Sequence, residues 1–158
     1  MDEIDYHWYA FHELTGGELY AVLKLRQEVF VVEQRCAYQD CDDLDQRAWH
    51  LVGWRQTDGK IEPAAYLRVI PPGLPGEMPA IGRLLLRTDR RGRGEGKKLL
   101  NLALGRIEEF YPKTAVRISA QHHLVEFYRN FGFQPASGVY DEDGIPHIGM
   151  IRPPQERP

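Results

Sequence analysis

The chain has 158 residues, of which 42% are apolar and 27% charged, with a net charge of −3. That length favours one domain around one core, and that composition excludes disordered, collagen-like and disulfide-framed classes, the only cysteines being Cys36 and Cys41. The longest apolar runs, such as Val29 to Val32 and Leu84 to Leu86, are too short to cross a bilayer. The start MDEIDYHWYAF lacks a signal-peptide pattern, so a cytoplasmic protein is expected.

Taken in chain order, residues 6–13 are aromatic-rich and predict an edge strand. Leu19, Val22, Leu23, Val29 and Phe30 recur at helical spacing and predict a helix over 18–33. Residues 34–47 show no periodicity and predict a loop. Two strands, 48–55 and 61–70, follow around the turn Thr57-Asp58-Gly59-Lys60. The stretch PPGLPGEMP (71–79) reads as a surface loop, and 80–87 as a central strand. From Gly96, the spacing of Leu99, Leu100, Ala103, Leu104 and Ile107 predicts a helix ending before Pro112. A strand at 114–120, a short helix bearing Leu124, Phe127, Tyr128 and Phe131 and stopped by Gly132, and two closing strands at 134–140 and 145–151 complete the series. The expected organisation is a single domain over 1–152 with a short tail, 153–158.

Charge is distributed unevenly. Between Arg83 and Lys98 lie seven of the 20 basic residues, while acid gathers in 40–45 and again in 141–143. Within the basic segment, RRGRGEGKKLL (90–100) stands between a strand and a helix. A helix N-terminus there offers unpaired N–H groups and the positive end of the helix dipole, and glycines let the backbone approach an anion. The plain alternative is a solvated basic turn. Gly92 lies one residue too close to Gly96-Lys97 for a P-loop, and G-x-G-x-G is not the dinucleotide fingerprint.

A third pattern fits. Arg91-Gly92-Arg93-Gly94-Glu95-Gly96 resembles the R-x-x-G-x-G/A pyrophosphate loop of the GNAT superfamily of acyl-CoA-dependent N-acetyltransferases, and EFYRNFGFQP (126–135) resembles its Y-x-x-x-G-F segment. LRQEVFVVEQRCAYQDCDDLD, AQHHLVEFYRNFGF and VYDEDGIPHIGM resemble the ElaA-type branch, so the likeness spans about residues 6–152. It implies an α/β (α+β) fold: a mixed, mostly antiparallel sheet of about seven strands, splayed between the fourth and fifth and flanked by helices. It also implies that acetyl-CoA, as cosubstrate, lies along the backbone of Leu84, Leu85 and Leu86. Its diphosphate would sit on Arg91, Gly92, Arg93, Gly94, Glu95, Gly96 and Lys97, with further contacts from Gln121 and Tyr128.

The resemblance places Tyr128 where the superfamily often carries its general acid; by position alone it could equally be a core contact. A phenol, with a reference pKa of about 10, is protonated at neutral pH and can donate to a leaving thiolate. The glutamate that many relatives carry on the fourth strand is absent from Ile81-Gly82-Arg83-Leu84. Candidate bases are Glu33, His50, His123 and His147. Neither the acidic cluster 40–45 nor the set Cys36, Cys41, His122 and His123 has metal-ligand spacing, so no metal is expected.

The expected activity is direct acetyl transfer to a primary amine on a small molecule or peptide, drawn in by the acidic loops. A non-catalytic acyl-CoA sensor is the alternative. No nucleic-acid or membrane partner is expected, and a homodimer is left open.

Overall fold

The computed structural model describes residues 3–74 and 76–156; Pro75 of the proline-rich loop and the last residues of the tail lie outside it. Seven strands form one sheet in the order β1-β2-β3-β4-β5-β7-β6. They are β1 (Asp5–Ala10), β2 (Trp49–Thr57), β3 (Lys60–Ile70), β4 (Ala80–Leu86), β5 (Val116–Gln121), β6 (Gln134–Glu142) and β7 (Ile145–Arg152). Helices α1 (Gly16–Arg26), α2 (Glu95–Phe110) and α3 (Val125–Arg129) complete the fold. All pairings are antiparallel except β4 with β5. Among the described residues no helix is long and apolar enough to cross a membrane.

Alternation along the central strands feeds two cores. Leu51, Ala65 and Leu67 pack with Leu99, Leu100, Ala103 and Ile107 of α2. Val52 and Tyr66 point the other way, to Val22 and Leu25 of α1. β3 is therefore buried on both sides over residues 63–70. The β2–β3 and β6–β7 hairpins turn on Asp58-Gly59 and Asp143-Gly144, both pairs at positive φ, as two-residue turns require.

The helix expected over 18–33 divides. Thr15 caps α1 through a reciprocal box with Glu18, and regular α geometry stops at Arg26. Residues 27–33 continue as a π-helical turn, with the amides of Gln34 and Cys36 donating to the carbonyls of Val29 and Val31. The run Val29-Phe30-Val31-Val32 favours α-helix weakly. The strand expected at 6–13 ends at Ala10, and 11–13 form a 3₁₀ turn instead.

The loop 34–47 lacks periodicity because ion pairs shape it. Fully buried Arg26 donates from Nε to Asp40 Oδ2 at 2.8 Å and from Nη1 to Asp45 Oδ1 at 2.7 Å. Arg68 bonds Asp42 and Asp45, and Arg83 donates to Asp40 Oδ1 at 2.8 Å and to the Asp40 carbonyl at 2.9 Å. Three arginines thus neutralise three aspartates. The expectation that this loop attracts a cationic acceptor is corrected for Asp40 and Asp45, whose charge is spent inside the fold, while Asp42 lines the cleft paired with Arg68 and Arg83.

Burial raises the Asp42 and Asp45 pKa values, but the arginines more than offset it, leaving Asp42 at about 2 and Asp45 below its ordinary value. Such groups add stability that is fully present above the unfolded pKa of about 4 and lost as pH falls through the native one. Asp45→Asn leaves Arg26 and Arg68 short of a charge, so we expect a loss of about 3 kcal/mol at pH 7. In thermal melts from pH 7 to pH 3, the variant should lose less stability than the wild type. Equal acid slopes would refute the role given to Asp45.

Candidate active site

β4 and β5 pair only at Ala80 with Arg117 and Ile81 with Ile118, and then part. A cleft of about 770 Å³ opens between them. Backbone groups of β4 beyond Ile81 that point toward β5 have no strand to pair with and must meet water or a ligand. Opposite β3, Arg83 and Leu84 share the single residue Leu67, which makes a bulge. Arg83 takes φ +54 there, rare for a side-chain-bearing residue, and its hydrogen bonds to Asp40 hold it. The π-helical turn supplies Val29, Phe30 and Glu33 to the same cleft, beside Leu84, Leu85 and Leu86.

The glycine loop closes one part of the cleft, which Arg91, Gly92, Gly94, Gly96 and Lys97 line. Gly92 and Gly94 adopt φ +77 and +80, which only glycine takes without strain. The amide of Lys98 is the first to join the helical ladder, donating to the Gly94 carbonyl at 3.3 Å. The amides of Glu95, Gly96 and Lys97 precede it and make no i−4 bond among the described residues, so they could cradle an anion. A diphosphate fits this chemistry.

The basic side chains contribute less to that cradle than their number suggests. Arg83 is tied to Asp40. Arg87 donates to the Pro63 carbonyl at 3.1 Å, and Arg90 is buried at 3.4 Å from Glu95. Glu95 turns its carboxylate inward, accepting from the Tyr6 hydroxyl at 2.7 Å, so its amide alone can meet a ligand. Arg91 pairs with Glu33 at 2.8 Å and donates from Nε to the Leu86 carbonyl at 3.1 Å. Exposed Lys97 remains at the cleft.

Tyr128 also lines the cleft, 4% exposed, and its hydroxyl has no hydrogen-bond partner among the described residues. Burial pushes its pKa up to about 12, so it is protonated at neutral pH. Glu33 is committed elsewhere: burial pushes it up, but hydrogen bonds from Thr88 at 2.8 Å and from Arg91 outweigh this and hold it ionised. His123 and His147 both face the cleft, as does Gln121, which lies 3.5 Å from Gln34.

His50 does not. It is 1% exposed, 2.8 Å from the Asp45 carbonyl, and burial lowers its pKa. Ser119, Phe127, Glu142 and Asp143 also line the cleft. Ser119 carried no motif, whereas Phe127 stood in the segment around Tyr128 and the two acids in the second acidic loop expected to draw in the acceptor.

The model described as an acetyltransferase (GNAT) domain matches residues 62–152. The chain belongs to the GNAT acetyltransferase family. Within it, the chain is 42% identical to protein ElaA of Escherichia coli, over 92% of this chain and 95% of that one. It is equally 42% identical to the UPF0039 protein sll0451 of Synechocystis sp., over 94% and 95%. The crystal structure of an acyl-CoA N-acyltransferase from Pseudomonas aeruginosa superposes with a TM-score of 0.88 at 44% identity, over 94% of this chain and 99% of that one. That of Escherichia coli ElaA superposes at 0.86 and 40%, with the same coverage. As a GNAT chain, the protein is an acyl-CoA-dependent transferase in class.

Two outcomes are expected from titrating acetyl-CoA by calorimetry. Gly94→Asp adds both a side chain at φ +80 and a negative charge at the cradle, and should weaken binding by about 1.5–3 kcal/mol. Glu33→Gln releases Arg91 and removes a competing anion. Since the pair is half-exposed, affinity should rise only about two- to fivefold, and less at high salt.

Proposed function

We propose that the protein, through residues 1–152, transfers an acetyl group from acetyl-CoA to a primary amine by direct attack. The observation that carries this reading is a proton-bearing, unpartnered phenol, Tyr128, facing the same cleft as the amide cradle and the open edge of β4. Leu84 to Leu86 supply the backbone along the acyl-bearing arm, and an amide there can stabilise the oxyanion. Tyr128 donates a hydrogen bond to the departing sulfur. With a pKa of about 12 against about 8.5 for a reference thiol, it stabilises the sulfur rather than giving up its proton for long, and it must be resupplied from the amine.

Direct transfer is favoured over a covalent acyl-enzyme by the state of the cysteines. The Cys36 thiol donates to the Asp143 carbonyl at 3.1 Å, and burial, then the hairpin acids, push its pKa up. Such a thiol makes a poor nucleophile. Cys41 is exposed and outside the cleft lining. A small-molecule or peptide amine in the cytoplasm is the acceptor class we favour, and the relative described as an acyl-CoA N-acyltransferase supports the transfer reading.

The test is release of free thiol from acetyl-CoA across a panel of amines. Wild-type protein should turn over at least one. Tyr128→Phe should bind acetyl-CoA normally yet turn over about 10²–10⁴-fold more slowly. Binding without release by the wild type would make the protein an acyl-CoA sensor instead.

A further inference from the structure

Ser119 of β5, Tyr140 and Glu142 of β6, and His147 of β7 form a cluster that the acyl-CoA cradle does not use. Strand register assembles it. His147 is the partner of Gln121 on one side and Tyr140 on the other, and Glu142 lies two residues beyond Tyr140, on the same face. The Tyr140 ring stacks on the imidazole at 6.2 Å and 26°, and its hydroxyl bonds Ser119 Oγ.

The surroundings of His147 fix which nitrogen can act. Nδ1 lies 2.8 Å from the Ile145 carbonyl, which can only accept, so Nδ1 carries a hydrogen. In the neutral ring Nε2 is then the lone-pair nitrogen, and it sits 3.1 Å from Glu142 Oε2. A proton accepted at Nε2 is therefore held between the ring and the carboxylate. The Glu142 side chain is 49% exposed and that of His147 only 10%, so a cation arriving from solvent meets the carboxylate first.

The other groups around the imidazole are Tyr140 from β6, Asp143 of the turn with the Cys36 thiol against its carbonyl, and His123 and Tyr128 in the same cleft lining. Glu142 is the one carboxylate in contact with it among the described residues. His123, by contrast, is exposed, and nothing among the described residues orients its ring.

Building on the acetyltransferase reading, we propose that Glu142 and His147 form the acceptor-side proton relay, selecting primary amines that arrive as ammonium ions. Glu142 anchors the ammonium. One of its N–H bonds breaks, the electron pair stays on the amine nitrogen, and the proton moves to His147 Nε2, where Glu142 pairs with the resulting imidazolium. The amine lone pair then forms the C–N bond at the thioester carbonyl as the C–S bond breaks. A second nitrogen-bound proton reaches sulfur by way of Tyr128, so CoA leaves as thiol, and His147 returns its proton to water.

The experiment measures kcat/KM for the amine against pH, with acetyl-CoA affinity measured alongside. His147→Gln should lower kcat/KM at pH 7 about 10²-fold or more with acetyl-CoA affinity unchanged. That deficit should shrink as pH rises and the amine becomes neutral in solution, which a merely structural lesion would not do. Glu142→Gln should raise KM for the amine and move the low-pH limb of kcat/KM to lower pH, and Glu142→Asp should restore part of the loss. If His147→Gln fails to fold, the exposed Glu142 variants carry the same test. Wild-type turnover with neither residue mattering, or with a deficit constant in pH, overturns the relay and leaves the acetyltransferase reading standing. A wild type that acetylates no amine overturns both.

Discussion

Arg83 sits in a β4 bulge at φ +54, a conformation that costs a residue with a Cβ about 1–3 kcal/mol. Hydrogen bonds to the side chain and carbonyl of Asp40 hold it there, and Asp40 is itself clamped by buried Arg26. The bulge lies where β4 leaves β5. Pairing has just ended at Ile81, and the strand that follows turns an open edge toward the gap. The acidic loop, the end of α1 and the cleft are therefore one mechanical unit. Breaking the ion network would release the loop, and it would also free the β4 backbone that turns its open edge to the cleft.

That arrangement changes the meaning of the charges. Most of the basic segment is consumed by internal partners, and so is the first acidic loop. What faces the cleft instead is a ladder of unpaired amides at the start of α2, with Lys97 and a reassignable Arg91. Amides fixed by a helix need no reorganisation to meet an anion, and their short-range bonds are screened little by salt. Besides Glu33, the acids at the cleft are Glu142 and Asp143 of the β6–β7 hairpin and, paired with Arg68, Asp42 of the first loop.

In the proposed reaction α2 and β4 serve the acyl donor, while β5, β6 and β7 form the opposite wall of the cleft. Tyr128 of α3 is fixed between them by packing in the main core. In that proposed reaction the acid, the oxyanion donor and the base stand on separate rigid elements, which lets each be placed without disturbing the others and brings the reactants together at little entropic cost.

Much of this was written in local pattern. The 3.6-residue spacing of Leu99 to Ile107, the hairpin turns, the glycine loop and the segment around Tyr128 are short-range features, so the sequence alone determined the element order and the family, and it suggested the donor side used in the proposed function. Neighbouring residues cannot reveal what a charge meets across the fold. Arg26 and Asp45 lie 19 positions apart, Arg83 and Asp40 lie 43 apart, and only packing made each pair and so withdrew Asp40 and Asp45 from the solvent face. Likewise, nothing local separates His50 from His147. Strand register alone decided that one is sealed beneath a loop and the other stands beside Glu142 at the cleft, because register sets which face of the sheet every side chain occupies.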